Sequence, residues 1–222
     1  MTRGMIVLAV ILAAAGARAQ APHDASPRWS LSAGMGVEYA SCPDVTTLIN
    51  ATVVPAQAVP GFKSAVEFFG AAAFPLSGPW LLKFEFAYSI ASFSPQGAYG
   101  PASFSVTYAM PSLILQYMLL DRGVYNVRAG VGGGYHFGSL QEKYFVINTA
   151  YSGKGPGIVL EAEANTAFGD HLYAFLGANL RWESVGTILD SSGGSPGVAS
   201  GGGAVTLHSF GAGARLGASY LF

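Results

Sequence analysis

Charge is the first thing this sequence lacks. Asp, Glu, Lys and Arg make up 10% of its 222 residues, against roughly a quarter in an ordinary soluble domain. A soluble globule needs charge on its outside, and this chain has little to place there. The net charge is −1, so no basic surface argues for nucleic acid. Cysteine is nearly absent: Cys42 stands alone, which excludes an internal disulfide framework. It lies too far along to be the lipidated first residue of a lipoprotein. His23, His136, His171 and His208 are scattered, and with one cysteine they offer no zinc spacing. After residue 19 there is no run of 18 apolar residues, so the mature chain holds no membrane helix.

What is present is apolar, aromatic and glycine-rich: 51% hydrophobic, 13% aromatic, 30 glycines. The first 19 residues form a separate unit. Arg3 precedes an unbroken apolar run from Met5 to Ala15, and Ala17 and Ala19 supply small residues where a signal peptidase cuts. Residues 1–19 are therefore read as a secretory signal peptide and residues 20–222 as the mature domain.

The mature chain alternates with period two, the mark of strands with unlike faces. Trp29, Leu31, Ala33, Met35, Val37 and Tyr39 oppose Ser30, Ser32, Gly34, Gly36 and Glu38. The same pattern returns in seven further segments, the last from Phe210 to Phe222. One segment breaks step. Phe104, Val106, Tyr108 and Met110 are apolar on even positions, whereas Leu113, Leu115, Tyr117 and Leu119 are apolar on odd ones. Pro111 sits between them and cannot donate a ladder hydrogen bond. A one-residue bulge at Met110-Pro111-Ser112 is the expectation.

Connections alternate strictly between short and long. "PLSGP", "DRG" and "GD" are tight turns, while residues 41–61, 94–102, 139–155 and 186–204 are long. All long loops therefore fall at one end. Alternation also suits a soluble barrel with its apolar face inside. Three features turn the apolar face outward. The polar face is filled with Gly and Ser, which suits the crowded interior of eight strands. Aromatics gather in two sets. Trp29, Phe74, Trp80, Tyr117, Tyr125, Phe168 and Tyr220 lie near the short turns. Tyr39, Phe62, Tyr88, Phe104, Tyr135, Trp182 and Phe210 lie near the long loops. Such sets suit the two interfaces of a bilayer. The apolar spans also reach the ~9–11 residues that a tilted strand needs to cross. The expected fold is all-β: an eight-stranded antiparallel up-and-down transmembrane β-barrel.

The final strand carries a resemblance. Ala214, Leu216, Ala218, Tyr220 and Phe222 alternate toward a terminal aromatic, which resembles the C-terminal signal of outer-membrane β-barrel proteins. Architecture places the mature chain beside small barrels such as the OmpA transmembrane domain and OmpX- or OmpW-like proteins. The resemblance implies a Gram-negative outer-membrane location among lipid and lipopolysaccharide. It also implies that barrel-assembly machinery reads Leu216, Tyr220 and Phe222.

On the inward face stand Glu38, Glu67, Glu85, Glu161, Glu163 and Glu183 with Lys63, Lys83, Arg128, Arg181 and Arg215, plus His136. This near-balance is read as a paired network that plugs a narrow lumen, since unpaired charges there would be costly. Glu38 with Lys63, and Glu161 with Arg181, are the expected pairs. The runner-up is a narrow channel for small solutes, and the third reading is a lipid A-modifying enzyme. His208 and Ser209 are adjacent and face opposite sides of a strand, which spoils a shared site. "GGSPG" lies in a Gly/Ser loop without the strand–turn–helix of a nucleophile elbow. "GVGGGY" lacks a phosphate-loop Lys. No enzyme activity and no cofactor are expected. Function is assigned to structure or to surface interaction, through long loops that face an extracellular ligand or host surface. The apolar content of residues 41–61 and 139–155 suits hydrophobic docking or strands that run beyond the membrane.

Overall fold

The computed structural model describes residues 28–52, 63–97, 100–144, 147–196 and 203–222. The expected signal peptide, with Ala17 and Ala19, lies outside the described residues, as does Phe62. Eight long strands form: β1 Ser30–Ser41, β2 Ala65–Pro75, β3 Trp80–Phe93, β4 Gly100–Asp121, β5 Tyr125–Tyr144, β6 Ile147–Ala167, β7 Leu172–Thr187 and β8 Thr206–Leu221. Each pairs antiparallel with its sequence neighbours, and β1 pairs with β8 from Ser30↔Leu221 to Ser41↔Phe210. The sheet thus closes, and closure alone removes unpaired edges. Gly78 and Gly123 take positive φ (57° and 72°) in the tight turns before β3 and β5, a conformation that costs glycine least. A two-residue pairing of Gln96–Gly97 with Gly100–Pro101 extends the β3–β4 connection.

The outward set of β1 (Leu31, Met35, Val37, Tyr39) is exposed, while Glu38 is buried. The other strands repeat this arrangement through the middle of the barrel. Leu160 and Leu180 face out; Glu85, Glu161 and Arg181 face in. Among the described residues, the outward face between the two aromatic sets carries no Asp, Glu, Lys or Arg.

Strand β4 corrects the expected bulge. Phe86 pairs with Pro111, and register on the β3 side is unbroken from Trp80↔Tyr117 to Phe93↔Phe104. Toward β5 the ladder skips Met110 and Pro111, which accommodates the missing N–H, but Ala109↔Phe137 and Ser112↔Gly134 keep one offset. The register shifts lie instead at Met118/Leu120 and Val185/Thr187. Phe104, Val106, Tyr108 and Met110 therefore point inward and are buried, so Phe104 does not belong to the aromatic set of the outer wall. The parity never changes; the polarity does. Strands β4, β5 and β6 are 20 to 22 residues long, about twice what crosses hydrocarbon. In their upper halves the medium outside is water. There Ser105, Thr107, Ser139 and Gln141 take the outward positions, and the apolar side chains turn in.

The loop after β1 holds a helix, α1 Pro43–Thr52. Pro43 and Asp44 suit a first turn. Val45, Leu48 and Ile49 recur at i, i+3 and i+4, and all three are buried. They pack into one cluster with inward Phe104, Val106, Leu140, Val185 and Leu207. Accordingly, Val45, Leu48 and Ile49 of the 41–61 loop do not form a docking surface; they pack inward with the apolar side chains at the long-loop end of the barrel. The β5–β6 pair does extend beyond the wall, paired as far as Tyr144↔Ile147.

Candidate functional site: the lumen and its outer wall

The lumen is built in tiers. At mid-height Glu85 is central. Arg215 grips it with two parallel bonds of 3.0 Å, and Arg181 Nη2 reaches it at 2.5 Å. Lys83 Nζ lies 2.9 Å from Glu85, 2.9 Å from Glu161 and 2.5 Å from Glu163. Glu67 bridges Arg215 Nε at 2.6 Å and Arg181 Nε at 3.2 Å. Gln116 donates to Glu161 at 2.7 Å. Three cations thus stand among four carboxylates across the lumen, in chains that link β2, β3, β6, β7 and β8. The Arg215 guanidinium also lies 4.6 Å over the Phe69 ring, a cation–π contact. Phe69 and Phe175 meet at 5.7 Å in space left by glycine: a Cβ at Gly34 would fall 2.8 Å from Phe69, and one at Gly217 the same distance from Phe175.

Of the eleven ionisable residues expected inside, Lys63 is displaced: it lies exposed ahead of β2. Glu38 therefore has no lysine and takes a 2.9 Å bond from Ser89. Glu161 does not pair with Arg181 either. Glu161 stands opposite Asn179, two positions from Arg181 in register, and both charges reach across the lumen instead. Arg128 binds Asn126 at 3.1 Å and stands opposite Glu163 in register.

Above this tier Ser112, His136 and Glu183 form a chain. Ser112 Oγ lies 3.0 Å from His136 Nε2, and His136 Nδ1 contacts the Glu183 carboxylate. A Cβ at Gly157 would overlap both His136 and Glu183, so glycine is required there. Period-two counting puts His136 and Glu183 on the inward face but cannot align them. The three residues have the order of nucleophile, base and orienting carboxylate. All three are buried, His136 completely.

At the long-loop end, beyond the bilayer, Glu142 faces the apolar tier opposite Phe104 and Thr149. Among the described residues its Oε1 has no hydrogen-bond partner, and burial pushes the carboxyl up to about 7. At the short-turn end the outer wall is fastened by aromatics. Trp29 stacks on Phe222 at 3.6 Å, Tyr220 meets Phe222 edge-on at 4.8 Å, and Phe222 N–H donates to Trp29 C=O. Leu216, Tyr220 and Phe222 are exposed on this wall.

An apolar, charge-free outer belt between aromatic rings, a closed sheet and a polar inside define an integral β-barrel of the outer-membrane type. The chain matches no family model and no curated protein. Solved structures agree on the fold. Neisserial surface protein A superposes with a TM-score of 0.54 at 9% identity, over 87% of this chain and 97% of its own. Ail, the attachment invasion locus protein of Yersinia pestis, gives 0.51 at 12%, over 89% and 99%. A major outer membrane protein from Thermus thermophilus gives 0.51 at 15%, over 88% and 100%.

Proposed function

We propose that this chain is an outer-membrane barrel with a sealed lumen, acting as a structural or surface-interaction protein and not as a channel. The observation that carries this reading is the double closure inside. The ion-paired tier centred on Glu85 spans the lumen, and α1 packs into the apolar tier above it. An eight-stranded interior is just wide enough for side chains, and here two layers of them meet across it. What then remains for interaction is the long-loop end, where β4 to β6 project. Residues 1–19 would direct export. The lipid-facing Leu216, Tyr220 and Phe222 of β8 would be read during assembly by the barrel-insertion machinery.

Planar-bilayer recording tests the sealed lumen. Wild-type protein should stay at the conductance of a protein-free membrane. Discrete openings that change with Arg215→Ala would instead establish the narrow channel. The enzyme reading has its own test. A fluorophosphonate probe should leave Ser112 unlabelled in the folded barrel, whereas labelling that His136→Gln abolishes would reinstate it.

A further inference from the structure

On the outer wall, where the polarity of the strands inverts, a groove of about 640 Å³ crosses five strands, β3 to β7. Its lower row consists of consecutive register partners: Tyr88 on β3, Ala109 on β4, Phe137 on β5 and Lys154 on β6. The row above is Thr107, Ser139 and Ser152, closed at one end by Leu189, which exchanges two backbone bonds with Ser152. The hollow has a plain cause. Ala109 stands between the rings of Tyr88 and Phe137, and Gly186, whose side-chain position is open space, lines the same groove. Along β6 the outward residues read Leu160, Ile158, Pro156, Lys154, Ser152. Lys154 is therefore the first charge met on leaving the apolar belt. It is exposed and, among the described residues, has no carboxylate partner within ion-pair range.

The geometry points to an anionic lipid site: the phosphate-bearing headgroup of a lipid in the leaflet facing the long loops. Its phosphate would sit on Lys154 Nζ, with the Thr107, Ser139 and Ser152 hydroxyls around it and the first acyl carbons over Phe137 and Tyr88. Each row meets the medium it suits, since hydroxyls and an ammonium bind phosphate oxygens and interfacial aromatics lie at headgroup level. An unpaired cation at that depth selects an anion over a neutral headgroup. The site rests on the membrane placement of the barrel and is independent of whether the lumen is sealed.

The test uses the full mature barrel in phosphatidylcholine nanodiscs containing about a tenth diphosphoryl lipid A, with retained lipid counted by native mass spectrometry. Wild type should keep one lipid A molecule in preference to phosphatidylcholine. Lys154→Gln should lower that retention about tenfold, the scale of one charge-assisted hydrogen bond. Lys143→Gln, which removes an exposed lysine farther along β5, should leave it unchanged. Both variants should keep the heat-dependent gel mobility of a folded barrel, which separates loss of the site from loss of the fold. Millimolar inorganic phosphate should not displace the lipid. Equal retention in Lys154→Gln and wild type, no preference for lipid A, or displacement by phosphate would each overturn the assignment.

Discussion

At the scale of the residue, the medium on each side of the wall decides what a side chain is worth. Arg215 is worth most inside, where it bonds Glu67 and Glu85 together. Arg215→Ala leaves two buried carboxylates short of a cation, and breaking such a pair costs about 3–5 kcal/mol. The denaturant midpoint of the folded band in unheated gels should fall accordingly. Adding Glu85→Gln should recover part of the loss, because it removes one of the stranded charges. Outside, the same charge is unwelcome. Leu160 is exposed in the middle of the β6 belt, and Leu160→Arg should destabilise the barrel in lipid vesicles by about 2–4 kcal/mol. In a detergent whose headgroups can approach the side chain the penalty should shrink, and an equal cost in both media would count against the lipid-facing assignment.

At the scale of the element, α1 and the projecting β5–β6 pair form a unit that differs from the wall below. Above the belt the strands are polar outside and apolar inside, like a soluble barrel, and α1 packs its apolar side chains into that inside. Leu48→Asp puts a charge among Val106, Leu140 and Leu207. It should free α1 to protease; on the sealed-lumen proposal, bilayer conductance should stay at the blank level, because the ion-paired tier around Glu85 is untouched. Glu142 gives this unit a pH dependence. Its folded carboxyl titrates near 7, above an ordinary carboxylate, so the folded unit holds the proton more tightly than the unfolded chain. The stabilisation is complete below about pH 4.5 and is lost as pH rises through 7. Neighbouring Tyr151 and Asp190 add no positive charge to offset this, and Lys143 lies on the outward face. The protection of amides at the tips of β5 and β6 from exchange, corrected for the base-catalysed rise in the intrinsic rate, should therefore fall between pH 6 and 8, and Glu142→Gln should flatten that profile.

At the scale of the whole molecule, closure sets behaviour. The β1–β8 seam leaves no open edge in the wall, and Trp29 stacked on Phe222 fastens its short-turn end. A barrel of this kind should migrate differently before and after boiling. Soluble behaviour in the periplasm, with no mobility shift, would mean that the apolar belt meets something other than lipid.

Much of this is legible in the chain because strand periodicity is local. Alternation from Leu31 to Tyr39 assigns two faces without reference to any other strand, and scarcity of charge says which face meets lipid. The tight turns at Gly78 and Gly123, the eight strands, and the inward side of Glu85, Arg181, Arg215 and His136 all follow from that. Partners are not legible, because they depend on register and tilt. Counting along the strands brings Glu161 to Arg181, yet it reaches Lys83; the same count brings Glu38 to Lys63, yet it meets Ser89. The apparent break at Pro111 misleads for a deeper reason. Period-two reading assumes one medium along a strand, yet β4 passes from lipid into water, so its apolar side chains change sides while its backbone does not. "PDVTTLIN" carries a helical spacing at Val45, Leu48 and Ile49, but only the tertiary structure could show a helix turned into the barrel's mouth. Composition and period alone determined that this chain is a barrel with an apolar outside. The fold decided how its interior closes, since that is settled by which residues from distant strands arrive at the same height.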